Sequence, residues 1–124
     1  MTLAWVFLLI AGCFEIGWPL GFKLFDKGGH YGYLGLAVVS MAISGFFLYH
    51  AQRTIPIGTA YAVWTGIGAI GTFLIGIFFF DDKIALVRCF GVFCILVGVI
   101  TLELSEHHSP NAVSGPETIA SPED

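Results

Sequence analysis

Long apolar runs alternate with short polar stretches along most of the chain. Residues 3–22, 33–51, 55–80 and 84–102 are dominated by aliphatic and aromatic side chains, and most charged residues fall between these runs. A helix needs about 20 apolar residues to cross a hydrocarbon layer of roughly 30 Å. The pattern therefore predicts an all-α protein with four membrane-spanning helices. Because the connections are short, neighbouring helices should run antiparallel.

Composition supports a membrane location. Hydrophobic residues make up 56% of the chain and charged residues only 11%, with a mean hydropathy of +0.86, whereas soluble domains carry about 25% charged residues. The three cysteines, Cys13, Cys89 and Cys94, lie inside apolar runs and are interpreted as small buried side chains rather than a disulfide framework. The first run has no basic residues before it, which favours a retained helix over a cleaved signal peptide.

The net charge of −4 comes from the end of the chain, because acidic and basic residues balance over residues 1–105. Residues 105–124 are rich in serine, proline and acids, a composition that cannot bury a core. We therefore divide the chain into a transmembrane domain, residues 1–104, and a disordered acidic tail, residues 105–124. His107 and His108 are interpreted as polar residues of that tail, and no metal site is expected.

Glu15 is the only charged residue of the first run. At about 1.5 Å per residue it lies roughly 18 Å from Leu3, inside the hydrocarbon layer, where a carboxylate costs on the order of 2.5–3.5 kcal/mol. Gly12 and Trp18 lie one helical turn away on the same face, so they leave space and supply an indole donor. Ionisable residues inside a membrane mark functional sites. A structural hydrogen bond to another helix is the alternative.

The third run contains the segment GTAYAVWTGIGAIGT, residues 58–72. Tyr61 and Trp64 fall on one helical face, and their polar tips need partners in lipid, for which Glu15 is the natural acceptor. Core packing is the alternative for such an aromatic stripe. Gly66 and Gly68 predict either a hinge in this helix or close packing against a neighbour.

Two further features concern neighbouring helices. Ser44, in the second run, has a hydroxyl that can donate to the Glu15 carboxylate or bond to its own backbone. Gly91 and Gly98 are seven residues apart on one face of the fourth helix, a spacing typical of close helix contacts in lipid. They indicate a subunit interface or packing within one subunit. The sequence shows no phosphate-binding loop, nucleophile–base pair or metal-ligand cluster and no basic patch for nucleic acid, so an enzyme is not expected.

Three segments together resemble the small multidrug resistance transporters, and most closely their guanidinium exporter subtype. These are FEIGW (residues 14–18) followed by Lys23, PIGTAYAVWTGIGA (56–69) and GVFCILVG (91–98), in which Phe93 replaces a usual leucine. The resemblance covers about residues 3–104. It implies four-helix subunits that form an antiparallel, dual-topology homodimer in the bacterial inner membrane.

Residue by residue, the resemblance implies that Glu15 binds either a proton or the cationic substrate. The residues that it implies line the site are Gly12, Trp18, Ser44, Tyr61 and Trp64, and it places Gly91 and Gly98 at the dimer interface. Trp18 favours the guanidinium subtype, because the exporters of quaternary ammonium ions generally have glycine there. Pro19 departs from the family pattern and predicts a bend just past Glu15, because proline cannot donate a hydrogen bond to the Glu15 carbonyl.

The loops carry an uneven charge, which bears on orientation. Lys23, Lys27, Lys83 and Arg88 flank one side of the predicted bundle, and only Arg53 lies on the other. This bias favours a single orientation with both termini outside, so a subunit that needs a separate inverted partner remains an alternative to dual topology.

The expected function is proton-coupled export of guanidinium or related guanidinyl cations. Protons and substrate would compete for Glu15, the proton gradient would supply the energy, and no cofactor or nucleic acid would take part. Export of quaternary ammonium or other lipophilic cations is the alternative within the family. A passive channel or a non-transporting subunit is the alternative outside it.

Overall fold

In a computed structural model, residues 3–108 are described and fold into five α-helices. They are α1 (Leu3–Glu15), α2 (Gly17–Gly28), α3 (Tyr31–Ala51), α4 (Ile57–Phe80) and α5 (Leu86–His108). Residues 109–124, most of the predicted acidic tail, lie outside the described part of the chain.

These helices provide four segments that are long and apolar enough to cross a membrane. They are Leu3–Gly28, which joins α1 and α2, then Tyr31–Ala51, Ile57–Phe80 and Leu86–Ser105. The prediction of an all-helical protein with four spans is therefore confirmed for residues 3–108.

Some helix ends differ from the predicted ones, for local reasons. Helix α2 continues past Lys23 to Gly28, because a charged residue marks the aqueous end of a span without ending the helix. It ends where Gly29 adopts a left-handed conformation, with φ 66°, and donates its N–H to the Phe25 carbonyl across 2.7 Å. Helix α4 begins at Ile57 because Pro56 is extended, with φ −52° and ψ 138°.

Helix α5 runs to His108 and so includes residues 105–108, the first four residues of the predicted tail. The division of the chain into a transmembrane domain and a tail stays a prediction. The His108 ring bonds the Leu104 carbonyl one turn earlier, at 3.0 Å. Composition marked this stretch as polar, but polarity alone does not end a helix.

The first span is interrupted at Ile16, directly after Glu15. The Ile16 N–H donates to the Cys13 carbonyl at 3.3 Å, one residue closer than in a regular α-helix, and the Leu20 N–H donates to the Ile16 carbonyl at 3.3 Å. Pro19 lacks the N–H that would otherwise bond the Glu15 carbonyl. The break therefore falls where Pro19 predicts a bend.

The break lets the two halves of this span pack differently. Helix α1 packs against α3 and α4, whereas α2 packs chiefly against α3, and α5 packs mainly on α4. Gly21 permits the close approach of α2 to α3, since a Cβ there would lie 2.6 Å from the Tyr33 carbonyl oxygen. The buried core gathers residues of α1, α3, α4 and the α3–α4 connection: Ala4, Trp5, Leu8, Ala51, Ile55, Ala60 and Val63.

Because α2 packs on α3, a groove remains between α2 and the second half of α4. Leu20 and Lys23 line it from α2, and Ile75 and Phe80 line it from α4. At its inner end this groove reaches Glu15.

Candidate functional site

Glu15 lies at the break between α1 and α2, half-buried, with a donor on each carboxylate oxygen. The Trp18 indole Nε1–H donates to Oε1 across 2.7 Å, and the Ser44 hydroxyl lies 3.2 Å from Oε2. Trp18 is three residues further along the same span, whereas Ser44 comes from α3. The two donors hold the carboxylate in one orientation, since each oxygen is fixed from a different helix.

Ser44 connects this carboxylate to two other groups. Its side chain is fully buried, and its hydroxyl also lies 2.8 Å from the Ala11 carbonyl oxygen. The Trp64 indole Nε1–H donates to Ser44 Oγ across 2.9 Å. A hydroxyl has one proton and two lone pairs, so Ser44 can donate to Ala11 or to Glu15, but not fully to both.

The aromatic face of α4 lies beside this network. The Tyr61 and Trp64 rings are tilted by 52° with their centroids 5.3 Å apart, and Tyr61 is 56% exposed. Together with Glu15, Trp18 and Thr65, they line a cavity of about 410 Å³ whose other wall is Met41, Gly45 and Leu48. Tyr61 therefore meets the site through this cavity and through its contact with Trp64.

Two glycines bring α1 and α4 together around Glu15. A Cβ on Gly68 would lie 2.8 Å from Glu15 Cγ, and a Cβ on Gly12 would lie 2.7 Å from Ile67 Cγ2. Both glycines are buried. Because Gly68 has no side chain, Glu15 can pack against α4. Because Gly12 has no side chain, Ile67 can pack against α1 one turn before Glu15.

Helix α4 is continuous through Gly66 and Gly68, from Ile57 to Phe80. Gly66 faces α5, where a Cβ would lie 2.5 Å from Val99 Cγ2. Both glycines therefore lie at close helix contacts in this conformation. The hinge in α4 stays a prediction.

A cavity of about 470 Å³ opens on the other side of Glu15. Its lining combines α2, α4 and the turn after α4: Glu15, Trp18, Pro19, Thr65, Gly68, Ala69, Thr72, Phe73 and Asp82. A planar cation of a few heavy atoms fits in this volume with room for water. Among the lining residues only Glu15 and Asp82 carry charge, and both are acidic.

Asp82 enters this lining because of the turn that ends α4. Asp81 adopts a left-handed conformation with φ 55°, and the Asp82 N–H donates to the Gly76 carbonyl across 3.0 Å. The Asp82 carboxylate then lies over Gly76, where a Cβ would be 2.5 Å from Oδ2. Asp81 and Asp82 are both exposed, and Asp82 also lines the groove that leads to Glu15.

The structure thus brings together four of the residues singled out from the sequence, Glu15, Trp18, Ser44 and Trp64, in one hydrogen-bonded network. Tyr61 and Gly12 lie next to it. Gly91 and Gly98 are elsewhere, on α5, where a Cβ at either position would meet nothing within 4 Å. That Gly91 and Gly98 pack against a second subunit remains a prediction.

Three contributors to the site were not assigned to it from the sequence. Gly68 was considered for a hinge but contacts Glu15, while Thr72 and Asp82 line the larger cavity. Thr72 follows Thr65 and Gly68 at helical spacing on one face of α4, so periodicity could have indicated it. No sequence signal indicates Asp82, whose position depends on the turn after α4.

Within residues 3–108 there is no group of three or more histidine, cysteine or acidic side chains placed to hold a metal ion. The chemistry of the site is that of one carboxylate with donors behind it and open space in front. An ionised carboxylate offers about four lone-pair positions. Trp18 occupies one of them, and Ser44 occupies a second when its hydroxyl donates to Glu15. The others can accept hydrogen bonds from a cation.

Fold and site together define a multi-pass helical membrane protein with a carboxylate at mid-span beside a cavity. Comparison with known proteins agrees with this class. The family model described as "Small Multidrug Resistance protein" matches residues 3–107, and the chain belongs to the small multidrug resistance family.

Several curated relatives carry one name. A guanidinium exporter of Yersinia pseudotuberculosis serotype I (strain IP32953) is 41% identical over 103 residues, which cover 83% of this chain and 99% of that protein. Guanidinium exporters of Salmonella typhimurium (strain LT2) and Citrobacter freundii are 37% and 38% identical over 105 residues, 85% of this chain and 100% of each relative. The names of these relatives describe exporters rather than enzymes.

Proposed function

We propose that this protein exports guanidinium across the membrane in exchange for protons, with Glu15 binding each in turn. The observation that carries the proposal is the Glu15 carboxylate at mid-span, held by Trp18 and Ser44 and open to a cavity. The choice of guanidinium as the substrate is based on the names of the relatives, which are guanidinium exporters.

Guanidinium matches the free side of the carboxylate. It is planar and carries parallel N–H groups, which a carboxylate accepts as a two-pronged fork. Trp18 and Ser44 donate from behind and leave one lone pair on each oxygen for that fork. Trp18 also lines both cavities beside Glu15, and an aromatic ring there suits a flat cation.

A proton competes for the same oxygens. Protonation of Glu15 removes its charge and turns one acceptor into a donor, so the cation loses both its counter-charge and half of the fork. Ser44 accommodates both states. It donates to Glu15 when the carboxylate is ionised; when Glu15 is protonated, Ser44 can accept that proton's hydrogen bond and donate to the Ala11 carbonyl instead.

Exchange also needs a site that opens to each side of the membrane in turn. A pair of inverted subunits provides this, because one subunit then faces each side and rocking of the pair alternates access. We therefore place the protein as a dual-topology homodimer in the bacterial inner membrane, where the proton gradient is the energy source and no cofactor is used. The exposed glycines of α5, Gly91 and Gly98, support a helix contact between subunits.

Reconstitution tests the proposal directly. Purified protein in liposomes receives an imposed guanidinium gradient while internal pH is recorded with a trapped dye. We expect guanidinium efflux to drive proton influx in the native protein, and Glu15→Gln to abolish the coupled pH change. Asp26→Asn is the matched control, since it removes an acid from the exposed end of α2.

The outcomes separate the alternatives. pH-driven guanidinium flux that survives in Glu15→Gln would contradict the mechanism. A response to tetraalkylammonium ions but not to guanidinium would indicate a quaternary ammonium exporter, and flux without any pH change would indicate a channel.

A further inference from the structure

Pro19 removes a backbone hydrogen bond at the residue that binds the substrate. In a regular α-helix the carbonyl of Glu15 would accept the N–H of residue 19, but proline has none. The next amide does not replace it, because the Leu20 N–H donates to the Ile16 carbonyl across 3.3 Å. The Glu15 carbonyl therefore lacks its helical donor.

The missing hydrogen bond lies between two residues that line the same cavity. A helical carbonyl points along the axis toward the residue four positions on, so the Glu15 carbonyl points toward Pro19. Both Glu15 and Pro19 line the cavity of about 470 Å³. The carbonyl that lacks its helical donor thus belongs to a residue that lines this cavity.

We propose that the Glu15 backbone carbonyl, freed by Pro19, is a second acceptor for the N–H groups of the bound cation. This inference rests on the proposed function, since it assigns an additional contact to the same guanidinium site. A carboxylate satisfies only one edge of a guanidinium ion, and the remaining N–H groups need acceptors once they leave water. A backbone carbonyl with no helical donor meets that need without adding a second charge.

The contact would make the site selective for cations with N–H donors. A cation without such donors, for example tetramethylammonium, would be held through charge by the Glu15 carboxylate and would gain nothing from the carbonyl. Guanidinium and methylguanidinium would gain a hydrogen bond. Pro19 is then a specificity-determining residue that acts through the backbone of Glu15.

The test compares two proline variants. Pro19→Ala restores the N–H that can bond the Glu15 carbonyl. Pro56→Ala is the control, because Pro56 precedes α4 and does not line either cavity beside Glu15. Tryptophan fluorescence or calorimetry in detergent at fixed pH gives the dissociation constants for guanidinium and tetramethylammonium. We expect Pro19→Ala to weaken guanidinium binding about three- to tenfold, the value of one hydrogen bond, and to leave tetramethylammonium unchanged. Pro56→Ala should change neither.

Unchanged guanidinium binding in Pro19→Ala would overturn the inference. An equal loss of affinity for guanidinium and tetramethylammonium would also overturn it, because that result would show a change in the shape of the site and not the loss of a hydrogen-bond acceptor. Failure of the native protein to bind guanidinium would instead contradict the proposed function. An isotope-edited infrared measurement on native protein with a labelled Glu15 carbonyl gives a second readout that needs no variant. We expect its band to move to lower frequency when guanidinium binds, and a stationary band would overturn the inference.

Discussion

Ser44 offers one hydroxyl proton to two acceptors, the Glu15 carboxylate and the Ala11 carbonyl. The Ser44 hydroxyl lies 3.2 Å from Glu15 Oε2 and 2.8 Å from the Ala11 carbonyl, and it accepts a hydrogen bond from Trp64. Because a hydroxyl has a single proton, Ser44 can donate fully to only one of these two acceptors at a time. Ser44 thus links the Glu15 carboxylate, at the end of α1, to the Trp64 ring on α4.

Ser44→Ala should uncouple these helices. It leaves the Trp64 indole N–H without its acceptor and Glu15 Oε2 without a donor, and a buried group that loses its partner costs about 1–3 kcal/mol. We expect the thermal midpoint in detergent to fall and coupled guanidinium exchange to drop at least severalfold.

Ser40→Ala is the matched control for this change. Ser40 is also buried on α3, one turn before Ser44, but it packs against Gly17 rather than Glu15. Exchange activity should stay near the native level in Ser40→Ala. Equal losses of exchange in the two variants would show that packing of α3, and not the hydroxyl network, is responsible.

Gly68→Ala should displace the Glu15 side chain. The new Cβ would lie 2.8 Å from Glu15 Cγ, so the carboxylate must leave its position between Trp18 and Ser44. We expect guanidinium affinity to fall by about tenfold or more, on the scale of a lost charged hydrogen bond, measured by calorimetry. Gly58→Ala, on the same helix, places a methyl where nothing lies within 4 Å and should bind normally. Normal guanidinium binding by Gly68→Ala would contradict the close approach of Gly68 to Glu15.

Some of the site follows from sequence because it is local. Glu15 and Trp18 are three residues apart, and helical periodicity alone places them on one face. Pro19 likewise predicts the interruption at Ile16 from its missing N–H. These relationships need no knowledge of how the helices pack.

The contacts between helices could not be derived in the same way. The spans are apolar on nearly every face, so periodicity does not say which face of α4 meets α1. The contact of Gly68 with Glu15 depends on that rotation, and the position of Asp82 depends on the φ of 55° at Asp81. Ser44 and Trp64 lie far from Glu15 in the chain. Their polar groups made them candidates, but the residues alone left packing or backbone bonding as alternatives, and only the resemblance to a known family assigned both to the site.

Gly66→Ala should separate packing from hinge motion in α4. Its Cβ would lie 2.5 Å from Val99 Cγ2 on α5, so the methyl forces the two helices apart. If close packing is the role of Gly66, the loss of stability should be recovered in part by Val99→Ala in the same chain, a coupling of about 0.5–3 kcal/mol in a double-mutant cycle. Thermal unfolding in detergent measures it. A Gly66→Ala variant with native stability and slow exchange would instead favour the hinge.

Gly91 and Gly98 should matter for association and not for the fold of one subunit. Nothing lies within 4 Å of a Cβ at either position, so leucine can be accommodated in the isolated subunit, while a partner helix that packs closely on the glycines would be pushed away. We expect Gly91→Leu with Gly98→Leu to keep native helicity by circular dichroism and to weaken the dimer at least tenfold, measured by light scattering in mild detergent.

Ile100→Phe is the control for this pair, because at 100° per residue it adds bulk on the opposite side of α5. It should leave the dimer intact. Dimers that persist in the double-leucine variant would place the subunit contact elsewhere. If coupled exchange falls together with the dimer, the site of Glu15 needs a second subunit to work.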